Sequence, residues 1–186
     1  MHVSVGARRW AWTLEREMVR SAQHATRDAL SILEYLIHDL IVAHQLHDFF
    51  AYVAKHADVK PETDRAVRRM YVSYLVLALC KLSEFFRRYK SLIPDALRQR
   101  CRAIEKELDR RGIRKLRNTF IGHIQNKDTG RPITDAELNA AFNVATDDDL
   151  EAFLRWIHIS GDTVSASTVV GSLEAVHAAL RKLAHA

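Results

Sequence analysis

Glycine and proline are scarce in this sequence, six of one and three of the other in 186 residues. A chain with so few chain-breaking residues has few places to turn. Stretches rich in Ala, Leu, Glu and Arg fill the space between them, which is the composition of helices joined by short connections. The expected fold class is therefore all-α, a helical bundle formed by one domain spanning residues 1–186, long enough to bury a core without disulfides or metals. Cysteine is scarcer still. Cys80 and Cys101 each fall in line with apolar neighbours at helical spacing, which reads as buried reduced thiols rather than a secreted disulfide framework and points to the cytoplasm.

Long apolar runs are also missing. The longest, Tyr74 to Cys80, is far below the roughly 20 residues that span a bilayer, so no membrane partner is expected. Arg8, Arg9, Glu15, Arg16 and Glu17 surround Trp10 and Trp12, leaving no uninterrupted apolar segment for a signal peptide. There is no glycine-rich loop to cradle a phosphate, no internal repeat and no low-complexity tract, and nothing calls for a cofactor.

What is present is positive charge in one place. The formal charge is +5 with a pI near 9.4. Between Arg98 and Arg117 nine basic residues meet only Glu105, Glu107 and Asp109, a net +6 that exceeds the charge of the whole chain. By itself such a run is the solvated face of a helix; beside a phosphate-binding motif it is a partner surface for an anion.

The apolar pattern divides the chain. Residues 8 to 24 read as a short helix, and a second runs from about Arg27 to Ala57. Lys60-Pro61-Glu62 marks a stop and restart. From Val67 to Tyr89 the apolar positions Val67, Met70, Tyr74, Ala78, Leu82, Phe85 and Tyr89 mark the best candidate for a central buried helix. Ile93-Pro94-Asp95 makes the next turn, and Leu97, Cys101, Ile104 and Leu108 continue the stripe. At Gly112 the register slips, restarting as Ile113, Leu116, Phe120 and Ile124, so a kink is expected between a basic helix and the helix that follows. Residues 125 to 134 read as a loop, Thr134-Asp135-Ala136-Glu137 has capping-box spacing, and the Asp147-Asp148-Asp149 run precedes a helix as capping residues. After Gly161-Asp162 a last amphipathic helix carries Val169, Leu173, Val176, Leu180 and Leu183.

The kinked helix carries Arg117-Asn118-Thr119-Phe120-Ile121-Gly122-His123. An arginine offers phosphate a planar fork of donors, and a histidine gives or takes a proton near neutral pH. At about 100° per residue Arg117 and His123 lie roughly 120° apart, flanking the buried seam. The plain reading is that Arg117 pairs with a carboxylate, Asn118 caps the turn and His123 ends a helix.

This motif, an Arg-Asn pair followed by His with five intervening residues between Arg and His, resembles that of the HEPN family (higher eukaryotes and prokaryotes nucleotide-binding domains). Gly122 departs from the family, where alanine often precedes the histidine. The resemblance covers about Arg114 to Lys127 and implies a helical bundle, metal-independent endoribonuclease activity, a homodimer with paired motifs in one cleft, and a role as a toxin or in phage defence with an antitoxin or other regulatory partner. In that chemistry His123 moves the proton of the ribose 2′-hydroxyl and of the leaving oxygen, Arg117 grips the scissile phosphate, and Asn118 orients the phosphate or the histidine. Arg111, Arg114, Lys115 and Lys127 are the candidate RNA-phosphate contacts. One histidine does not serve as acid and base at the same instant, which is a physical reason for two copies. The reading from a different class is a non-catalytic helical interaction protein that binds RNA or a protein partner.

A second cluster, Glu34, His38, His44, His47 and Asp48, has pairs at four-residue spacing. Glu34 and His47 are about 20 Å apart along a helix rising 1.5 Å per residue, so one ion does not collect them all, and they read as partly exposed polar positions rather than a metal site.

Overall fold

A computed structural model of the chain describes residues 5–121, 130–159 and 167–185, with side chains from Arg20 onward except that of Phe120. Among these residues every regular element is helical: α1 (Val5–His56), α2 (Pro61–Arg88), α3 (Asp95–Arg110), α4 (Ile113–Leu116), a π-helical turn (Arg117–Ile121), α5 (Asp135–Thr146), α6 (Leu150–Ile157) and α7 (Val169–Ala184). The all-α bundle expected from composition is what forms.

The first two helices of the sequence reading are one. α1 runs unbroken for 52 residues, about 78 Å at 1.5 Å per residue. The expected break near residues 25 and 26 fails for a local reason: neither glycine nor proline stands there. Instead Thr26 donates its hydroxyl proton to the carbonyl of Ala22 at 2.9 Å, a bond a helix accommodates.

Ala29, Leu33, Leu36, Leu40 and Ala43 form the inner stripe of α1 and are fully buried, packed between α2 and α7. α2 begins at Pro61, a residue whose missing N–H costs nothing in a first turn. It is the central helix, touching α1, α3, α4 and the π turn. Its buried face is Tyr71, Val72, Leu75, Val76, Leu79, Leu82, Phe85 and Phe86. Met70, assigned to that face from periodicity, is 54% exposed; neighbours cover α2 on several sides, so the buried face is wide and lies one residue round from the single stripe that periodicity draws there.

Cys101, Ile104 and Leu108 of α3, Ile113 and Leu116 of α4, and Phe153, Leu154 and Ile157 of α6 complete the core with Val169, Leu173, Val176 and Leu180 of α7. The caps follow the sequence. Thr134 accepts from the backbone of Glu137 at 3.2 Å while its own N–H donates to the Glu137 carboxylate at 2.9 Å, a capping box for α5. Asp149 caps α6 by accepting from the N–H of Ala152 at 2.8 Å, and Thr168 caps α7 by accepting from Gly171 at 3.0 Å. No helix among the described residues is long and apolar enough to cross a membrane.

Candidate functional site

The site begins with the pivot that aims it. α3 ends at Arg110, and Gly112 adopts a left-handed backbone, φ +64°, a conformation that an L-side chain resists. A Cβ there would meet nothing within 4 Å, so the demand for glycine is conformational rather than steric. Beyond it Ile113 and Leu116 turn into the core, which leaves Arg114, Lys115, Arg117 and Asn118 facing solvent.

The helix then changes type. Arg117 to Ile121 form a π turn, not the α-helix on which the 120° estimate rests. π turns are rare and concentrate at functional sites.

Arg117 donates from Nη1 to Oδ1 of Asn118 at 2.9 Å. One donor of the fork thus fixes the amide, leaving others for a ligand. Arg114 donates from Nη2 to the hydroxyl of Ser83 at 2.6 Å; Ser83 is buried on α2, so this arginine is tethered to the bundle. Both guanidinium groups lie near Cys80 and act to lower its pKa, yet burial, with a push from Glu84, wins and raises the thiol. The Cys80 S–H points at the carbonyl of Ile113, 3.9 Å away. Cys101 is also pushed up, to about 11, mainly by burial, and neither thiol is poised as a nucleophile. Among the described residues no carboxylate pairs with Arg114, Lys115 or Arg117, so these cations, like the exposed Arg100, Arg102 and Lys106 of α3, are open to an anion.

Arg111 is a correction to the sequence reading. Its side chain is 11% exposed; Nε donates to Glu107 at 2.7 Å, Nη1 donates to the carbonyl of Ala145 at 2.8 Å, and Asp147 stands 3.2 Å from Nη1. Its guanidinium carbon lies 5.1 Å and 5.3 Å from the ring centres of Phe153 and Trp156. With its fork engaged by protein and its faces on aromatics, Arg111 is a brace joining α3 to α5 and α6 rather than a phosphate ligand. Arg110 also turns to the protein, binding Glu107 and Asp147 through both ends of its fork, and it holds both carboxyls below the usual range. Asp147 adopts φ +54° at the end of α5.

Of the other residues assigned from sequence, His123 and Lys127 lie outside the described residues, as do Gly122 and Ile124. Of the loop expected over residues 125 to 134, the first half, 125–129, falls there too, and the side chains of Trp10 and Trp12 are likewise outside.

The histidine cluster of α1 does not converge. Glu34 lies 3.1 Å from Nε2 of His177 on α7. His44 is buried against the ring of His158, centroids 5.5 Å apart. Its Nδ1 lies 3.3 Å from Asp48, yet this buried nitrogen has no partner in hydrogen-bonding geometry, so proximity without alignment is the better description. His47 lies beside Asp48 and Glu151. Among the described residues no three His, Cys, Asp or Glu side chains gather as a metal-holding group.

Two features have no signal in the sequence. Ser83 gives no hint of its role because it lies 31 positions from Arg114. A cleft between α2 and α5, walled by Arg65, Arg68 and Arg69 over Val72, Leu138 and Phe142, is the other. Its arginines face Glu62, Asp64 and Asp135, so the wall carries little net charge.

No family model matches the sequence, and no curated protein matches it. The fold is similar to that of the integron cassette protein Vpc_cass2 from the mobile metagenome of V. paracholerae, at 24% identity and a TM-score of 0.68, over 84% of this chain and 95% of that one. At that identity the likeness speaks to the fold.

Proposed function

We propose that this chain is a HEPN-type, metal-independent endoribonuclease, acting in the cytoplasm as a homodimer in a toxin or phage-defence setting. The observation that carries the reading is the Arg117–Asn118 pair on an exposed π turn, hydrogen-bonded to each other and flanked by Arg114 and Lys115. A guanidinium held by its neighbour meets a phosphate with less ordering cost than a free one, and the flanking cations add the sequence-independent attraction that RNA binding needs.

The chemistry follows from the groups. The ribose 2′-hydroxyl loses its proton to His123 and attacks the adjacent phosphorus; the O–P bond to the 5′ oxygen breaks and that oxygen gains a proton from a second imidazole. Arg117 neutralises the charge that builds on the phosphorane. The products are a 2′,3′-cyclic phosphate and a 5′-hydroxyl, and DNA, lacking the nucleophile, is not cut. Asn118 is assigned to orient Arg117, with which it already bonds.

Incubation of the purified protein with RNA in excess EDTA tests this. Cutting with those ends, lost in Arg117→Ala and in His123→Ala, supports the reading; intact RNA, or cutting unchanged in both variants, overturns it. The second reading, a non-catalytic helical interaction protein, is favoured by a different observation: three exposed aromatic side chains on α1, Tyr35, Phe49 and Tyr52.

A further inference from the structure

Ser83 holds more than one guanidinium. Its hydroxyl accepts from Nη2 of Arg114 at 2.6 Å, and its carbonyl accepts from Nε of Arg87 at 3.4 Å. One arginine comes from α4 and the other from the last turn of α2, so cations from two helices meet over a single buried serine. Each uses one donor on Ser83 and keeps the others. Like charges drawn to one point repel unless an anion stands between them. Among the described residues neither arginine has a carboxylate partner. Glu84, beside Ser83 in the sequence, is exposed, and its charge reaches the Cys80 thiol without pairing with either guanidinium.

Arg117 stands one turn further along. Its N–H bonds to the carbonyl of Arg114, and side chains three positions apart on a helix are neighbours, about 5–6 Å between Cβ atoms. The pair on Ser83 is thus adjacent to Arg117 without coinciding with it. A lone phosphate on Arg117 leaves that pair unused, whereas a strand that continues past Arg117 brings its next phosphate there, as a cationic groove tracks a nucleic-acid backbone. The exposed cations of α3 offer no such point: among the described residues no hydrogen bond gathers any two of Arg100, Arg102 and Lys106.

We infer that Arg87 and Arg114, held by Ser83, form a second phosphate subsite that takes the phosphodiester next to the one on Arg117, so that the ligand is a continuous nucleic-acid strand rather than a single phosphate group. The inference rests on the proposed placement of the scissile phosphate at Arg117, but binding at the Ser83 pair needs neither His123 nor the breaking of a bond. Arg87 lies outside the basic run from Arg98 to Arg117, and the packing of α2 on α4 brings it to the site. It touches a phosphate whose bonds do not change, so its loss raises KM and leaves kcat nearly unchanged.

Binding of the full chain to a fluorescein-labelled oligodeoxythymidylate, which lacks the 2′-hydroxyl, reads the subsite without cleavage, with circular dichroism to verify the fold of each variant. Arg87→Gln and Arg114→Gln are each expected to weaken binding severalfold and to lower its salt slope by about 0.7, the share of one phosphate contact on a single strand. Arg88→Gln removes the same charge one residue away, from a side chain that lies over the ring of Tyr89 at 5.6 Å, and leaves both nearly unchanged. In a chimeric strand with one ribonucleotide the scissile phosphate is fixed. A neutral methylphosphonate at the neighbouring linkage on one side then slows cleavage by wild type severalfold but not by Arg87→Gln, where the missing charge has already lost its partner. Wild type that does not bind the deoxy strand, Arg87→Gln that binds it like wild type, Arg88→Gln as damaging as Arg87→Gln, or cleavage indifferent to the neighbouring charge on either side each overturns the proposal. Binding that depends on Arg87 and Arg114 in a protein that cuts no RNA would instead sink the nuclease reading and leave the subsite standing.

Discussion

Arg117 and Asn118, adjacent in sequence, share a 2.9 Å hydrogen bond on the exposed side of a π turn. The amide oxygen accepts, so the asparagine orients the guanidinium without neutralising it. Under the proposed chemistry Asn118→Ala leaves Arg117 charged but unguided, and RNA cleavage should fall roughly tenfold, the worth of one net hydrogen bond. Asn118→Asp is expected to be worse, because a carboxylate at that distance pairs with Arg117 and competes with phosphate. Steady-state kinetics on a short RNA checks both, and an Asn118→Asp enzyme as active as wild type would contradict the assigned role.

Arg111 and Lys115 are both cations of the basic segment, yet the structure gives them opposite surroundings. Arg111→Gln removes the brace between α3 and the α5–α6 region and leaves the Ala145 carbonyl without its side-chain donor, while Glu107 keeps Arg110, a cost of about 2 kcal/mol. Lys115→Gln, at an exposed position, should leave stability within ~0.5 kcal/mol while lowering the salt slope of RNA binding by about 0.7. Urea denaturation and salt-dependent binding titrations separate the two; a salt slope that responds to Arg111 and not to Lys115 would reverse the assignment.

Gly112 tests the pivot. Its φ of +64° with open space around a would-be Cβ means that Gly112→Ala introduces backbone strain alone, about 1 kcal/mol. Gly112→Asn should cost less, because asparagine tolerates the left-handed region. Denaturant midpoints measure both, and a stabilising Gly112→Ala would show that the turn is not left-handed in solution.

Acid should loosen the α3–α5 junction. Arg110 holds the Glu107 and Asp147 carboxyls below their ordinary range through hydrogen bonds, with Arg111 adding charge. Groups depressed in the folded state lend their stability above the unfolded value, near 4, and lose it as pH falls through the lower folded values. Thermal midpoints should therefore hold from pH 7 to about 5 and drop below about 4. Glu107→Gln should flatten that drop. An unchanged drop in Glu107→Gln would place the acid sensitivity elsewhere.

Local rules in the sequence are enough for much of this fold. Proline at Pro61, the capping box at Thr134, the helix-capping Asp149 and the slip in register at Gly112 each act within a few residues, and each is found where its chemistry predicts. What escapes depends on distant neighbours. The sequence reading divides α1 in two near Thr26, although no residue there breaks a helix. Met70 reads as core because periodicity gives a face but not its exact direction. Arg111 is indistinguishable from Lys115 in the sequence, and only folding brings Phe153, Trp156 and Asp147 to it from more than thirty positions away. The π turn has no sequence signature at all. Of the motif, Arg117 and Asn118 are described on one exposed turn, and the assignment of His123 rests on the sequence.

The most direct measurement is the chemistry of the cut ends. RNA incubated with the full chain in excess EDTA should yield fragments ending in 2′,3′-cyclic phosphate and 5′-hydroxyl, at a rate reduced about 10²–10³-fold in Arg117→Ala by loss of a transition-state donor, and abolished in His123→Ala. RNA left intact by correctly folded protein, or cut to 5′-phosphate ends only when a divalent cation is supplied, would contradict the account.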